Sequence, residues 1–165
     1  KSKMEEYVKN NDIDTIKSII YHELCHVDLK NKLPQLHYLC NKYKQEENFI
    51  KCFTIMVYIE YIAHIISSKY ESEETIKRFL KSINNIIWNF NDETSRIYFI
   101  KCVPYVLARI NKNFDYINIV KSEDFKNHMV QAKEKIERVV SGGLTDDYNN
   151  LVELEDFVSK YISND

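Results

Sequence analysis

Two glycines and two prolines are all the backbone punctuation that this 165-residue chain carries, and that scarcity limits its folds more than any other feature. Sandwiches and barrels of short strands need many tight turns, and tight turns draw on glycine and proline. Here Gly142 and Gly143 are adjacent, while Pro34 and Pro104 stand seventy residues apart. No strong strand-like alternation of apolar and polar residues accompanies them. The expected class is therefore mostly or wholly α, as one compact multi-helix domain over residues 1–165.

Capping residues mark where the helices should start. Asp12 or Asp14 can open a helix reaching about Leu29, with Ile13, Ile16, Ile20 and Val27 along an apolar side. Pro34 suits the first turn of a segment running to about Lys44. The segment from Glu47 to Lys69 is apolar on most sides, which suits a central buried helix. Ser72 begins a helix extending to about Trp88, and Asp92 begins another to Ile110, in which Pro104 should kink or interrupt the backbone. Ser122 starts a helix that Gly142 and Gly143 end, and Thr145 with Asp146 and Asp147 starts the last, through Tyr161. No repeat of 30 to 45 residues is evident, which argues against a helical solenoid.

A formal charge of -2, with bases and acids interspersed, gives no drive toward nucleic acid. Uninterrupted apolar runs stay short of the ~20 residues that span a bilayer, so no membrane association is expected. The cysteines at 25, 40, 52 and 102 form no C-x-x-C pair. They read as reduced, mostly buried thiols in a cytoplasmic protein.

One pentapeptide carries chemistry. His22-Glu23-Leu24-Cys25-His26 is an H-E-x-x-H sequence following the apolar Ile19-Ile20-Tyr21. On a helix, His22 and His26 lie one turn apart on one face, close enough to hold a single metal ion. Glu23 lies about 100° round from His22 and can flank the metal as a proton acceptor without ligating it. A third protein ligand is needed. Glu60 is the best candidate, a carboxylate midway along the most apolar helix, where it is costly unless paired or metal-bound. His64, one turn on, is the alternative ligand or an outer hydrogen-bonding partner. Asp28 could bond the free N–H of a ligating imidazole, while Cys25 points off the metal-facing side. Tyr58, Tyr61, Tyr98 and Tyr105 are possible donors to an oxyanion, Arg96 and Arg109 are possible charge partners, and His37 and His128 have no evident partner.

Ile19 to His26 resembles the active-site helix of the zincin metallopeptidases, and Glu60-Tyr61-Ile62-Ala63 resembles the glutamate helix of their gluzincin branch. The pattern is similar to that of small peptidases of bacterial and phage or mobile-element origin, over about residues 16 to 68. The resemblance implies one Zn2+ per chain held by His22, His26 and Glu60, with Glu23 as general base. It implies a peptide or protein substrate. Nearness to Glu60 in sequence, apart from the resemblance, makes Tyr61 or His64 the candidate to steady the oxyanion. Zincins also place a small sheet ahead of this helix, whose edge strand holds substrate. The ~20 residues before His22 are poorly strand-like, so either an upstream segment is missing from this chain or helices alone cradle the site. The alternatives are a non-catalytic helical interaction domain and an inactive metal-binding relative of the peptidases.

Overall fold

A computed structural model of the chain describes residues 3–10 and 12–162. Among these residues there is no strand, as the shortage of turn formers predicts. The helices are α1 (Lys3–Lys9), α2 (Ile13–Lys32), α3 (Pro34–Gln45), α4 (Phe49–Ser67), α5 (Glu73–Ile83), α6 (Glu93–Ile110), α7 (Glu123–Ser141) and α8 (Val152–Ile162). Side chains of Asp12, Asn48, Ser72, Asp92 and Ser122 accept from backbone N–H groups of the following first turns. Each satisfies one of the donors that a helix start leaves without an intrahelical partner.

Helix α4 is the axis of the fold, packed against α2, α3, α6 and α8. Ile55, Tyr58 and Ala63 along it are fully enclosed, together with Phe99, Ile100, Val103 and Val106 of α6. The spacing of Phe125, Met129, Ala132, Ile136 and Val139 gives α7 a single buried stripe. Phe49–Tyr70 is long and apolar enough to cross a bilayer by length and composition, and half of that window is buried inside the fold. Counting only uninterrupted runs passes over this segment, because Lys51, Glu60 and Lys69 divide it.

Two boundaries differ from those expected. Helix α5 stops at Ile83 instead of Trp88, because the Asn84 side chain turns to donate to the Ile119 carbonyl and accept from the Lys121 N–H. Trp88 leaves the helical path and packs 4.6 Å from the Phe125 ring. Residues 145–147 do not open the last helix: Asp147 caps a 3₁₀ turn over Tyr148–Leu151, and α8 begins at Val152. Asp146 instead accepts from the N–H groups of Gln35 and Leu36, capping α3, whose own Leu33 has no side-chain acceptor. Pro104 does not interrupt α6, which continues to Ile110.

Glu47, in the turn joining α3 to α4, has φ 56°. Left-handed backbone burdens a residue that has a Cβ. Glu47→Gly is expected to raise stability by about 0.5–1 kcal/mol in chemical denaturation, once glycine's greater unfolded-state entropy is subtracted. A loss instead would show that the Glu47 side chain makes a net stabilising contact.

Candidate metal centre

Helices α2 and α4 lie side by side, and their facing arcs bring four polar side chains together in an otherwise apolar region. On α2, the buried Ser18, Cys25 and Leu29 fix which side turns inward, and His22 and His26 lie at the edge of that side. On α4, Glu60 and His64 lie one turn apart facing them.

The Nε2 atoms of His22 and His26 are 2.9 Å apart. Glu60 Oε2 lies 3.4 Å from His22 Nε2, and Glu60 Oε1 lies 3.4 Å from His26 Nε2. Two donors held by one tetrahedral zinc stand about 3.3 Å apart. The histidine–carboxylate contacts match that separation and are longer than a well-formed N–H···O hydrogen bond. The ligand-type atoms of all three residues lie within 4.8 Å of one another, so this group could hold a metal ion. Three buried polar atoms around the cluster, His22 Nδ1, Glu60 Oε2 and His64 Nε2, have no hydrogen-bond partner. Native interiors rarely leave such atoms unmatched, and a cation would engage the carboxylate oxygen.

Electrostatics within the cluster favour a carboxylate. Burial opposes ionisation of Glu60, but the adjoining His22 and His26 outweigh it and hold the carboxyl down at about 2. Contact with Glu60 raises His26 above its ordinary value against the opposing effect of burial. His64 is driven down to about 2 by burial first and then by the Arg109 charge, so it stays neutral. Its ring stacks on His22 with centroids 4.1 Å apart, and its Nε2 is 3.7 Å from Glu60 Oε2. Between the two candidates for third ligand, the geometry groups Glu60 with the histidine pair and sets His64 behind it.

Glu23 is exposed, and its charge acts on both His26 and Tyr105, which puts it beside the cluster. The Tyr105 ring, on α6, packs 4.2 Å from that of His64. Burial raises the Tyr105 hydroxyl pKa, and the charge of Glu60 adds to the effect.

Other expected contributors lie elsewhere. Tyr61 is about 100° round α4 from Glu60 and faces α6 and α7, beside Leu107 and Ile136. Asp28 is 200° round α2 from His26 and pairs on the surface with Lys32 at 2.8 Å. Cys25 is in the core, as its helical phase requires. The Tyr58 hydroxyl accepts from the Thr145 N–H, and Arg96 donates to the carbonyls of Phe90, Asn91 and Tyr161. His128 does have a partner, the Tyr161 hydroxyl at 2.6 Å. His37 is half-buried on α3, close enough to feel the charge of His26 after burial and Lys30 have lowered its pKa.

No family model, curated protein or solved structure matches this chain.

Proposed function

We propose that the protein is a zinc-dependent hydrolase acting on peptide bonds. The observation that supports this reading above all is the convergence of His22, His26 and Glu60 from two packed helices, with each histidine Nε2 3.4 Å from a Glu60 oxygen. A zinc ion bound there supplies Lewis acidity toward a carbonyl and lowers the pKa of its water toward about 7. Glu23 accepts the proton of the attacking water and delivers it to the leaving amine. We assign the donor to the developing oxyanion to Tyr105, whose ring packs against His64, in preference to Tyr61, which lies beside Leu107 and Ile136. Neutral His64 lies beside Glu60 with its ring stacked on that of His22, at the apolar side of the cluster.

One observation favours a second reading, a non-catalytic interaction domain. Ile13, Ile20, Leu24 and Val27 form an exposed stripe along α2 on the side away from the histidines. That reading requires no metal and predicts tolerance of substitution at His22 and Glu23.

Elemental mass spectrometry of the purified chain, before and after equilibration with zinc, separates the two. We expect about one zinc per chain, lost in His22→Ala, with a higher thermal midpoint for the zinc-loaded protein. Neither uptake nor thermal stabilisation on adding zinc would reject the metal centre and leave the interaction reading.

A further inference from the structure

Cys40 and Cys52 face each other across the α3–α4 hairpin, with their Sγ atoms 3.6 Å apart. Cys40 Sγ also lies 3.9 Å from the Cys52 carbonyl oxygen, so the two residues meet along both side chain and backbone. The pair is separated by 12 positions in sequence, and the connecting turn is held by backbone bonds from Glu46, Glu47 and Asn48 to the end of α3. Cys40 is half-buried and Cys52 buried, while Cys25 and Cys102 sit on α2 and α6.

We propose that Cys40 and Cys52 are an oxidative modification site, closing to a disulfide that latches α3 onto α4. The sulfurs need to approach by about 1.6 Å to reach disulfide length, a displacement that side-chain rotation can supply. Hydrogen peroxide, small and uncharged, is the oxidant class suited to a half-buried thiol. Cys40 attacks it, one oxygen leaves as water, and Cys40 becomes a sulfenic acid. Cys52 then attacks the Cys40 sulfur and expels the second oxygen as water. The two thiols lose two electrons and two protons, and one peroxide becomes two waters. Burial first, and then the contact with Cys52, push the Cys40 thiol up to about 12, so the attacking thiolate is scarce and closure is slow. The latch responds to sustained oxidant and does not depend on the metal reading. Helix α4, which it grips, carries Glu60 two turns further on.

The test uses the whole chain, treated with hydrogen peroxide for hours, alkylated, and mapped by mass spectrometry without reduction. Wild type and Cys102→Ser should each yield a peptide joining Cys40 to Cys52, about 2 Da lighter than its two unalkylated halves together, and dithiothreitol should separate it. Cys40→Ser and Cys40→Ala should yield no such peptide, with far-UV circular dichroism showing that each has folded. Cys40 and Cys52 remaining open to alkylation in wild type, or ending as sulfinic acids, would overturn the proposal. A crosslink through Cys25 or Cys102 instead would do the same.

Discussion

Glu23→Gln should leave about one zinc per chain in place while lowering peptide hydrolysis by about 10²- to 10⁴-fold, the usual share of a general base. Glutamine keeps the volume and helix propensity of the glutamate but cannot accept a proton. The side chain is exposed and contributes no core contact, so stability should move little. Because Glu23 is not in the ligand group, metal content and turnover should separate. Zinc stoichiometry and cleavage of a peptide library, measured on one preparation, check both halves. Undiminished cleavage would remove Glu23 as the base, and lost zinc would make it part of the coordination shell.

Arg109→Ala is expected to destabilise the fold by about 3–5 kcal/mol, the effect of leaving a buried charge without its partner. Glu71 has a side chain only 3% exposed and receives both Arg109 Nε at 2.7 Å and Arg109 Nη2 at 2.8 Å. Ser18 Oγ donates to the same carboxylate at 2.8 Å, which draws α2 into the pair. Alanine would leave the enclosed Glu71 carboxyl with one hydroxyl for company, and would also uncover the Phe79 ring beneath the guanidinium. Urea denaturation measures the loss, and adding Glu71→Gln to Arg109→Ala should recover part of it by removing the orphaned charge. A loss below about 1 kcal/mol would mean that water reaches Glu71 in the variant.

What was legible in the sequence follows the range of the interactions concerned. Helix starts at Asp12, Ser72, Asp92 and Ser122 were readable because each cap bonds three residues on. The role of α4 was readable from its composition, and Glu60 stood out as a lone acid in that company. The cap on α3 was not, since Asp146 supplies it from 110 residues away in sequence, and local pattern assigned that acid to its own neighbourhood. The end of α5 was missed for the same reason: Asn84 is held by Ile119 and Lys121, both distant in sequence. Within the site, the i, i+4 spacing of His22 and His26 was visible at once. Tyr105 was one of four tyrosines that could serve as donors, and nothing local set it above Tyr58, Tyr61 or Tyr98, because its place depends on how α6 packs against α4. Asp28 and Tyr61 were drawn in by nearness along the chain, and helical phase turns both away.

Helix α2 is crowded in cross-section, with core residues on one arc, the two histidines at its edge and the bare apolar stripe opposite. The imidazole nitrogens sit about 6 Å from the helix axis, so a roll of 20° would sweep them through about 2 Å. That is a large fraction of the 3.4 Å that separates them from the Glu60 oxygens. Coordination is thus a reading of one torsional setting of the rod, and an ion seated there would act as a detent against its turning. The Ser18–Glu71 bond, one turn before His22, is a second stop on the same rotation. Anything that leans on the bare stripe would be turning the dial from the other side.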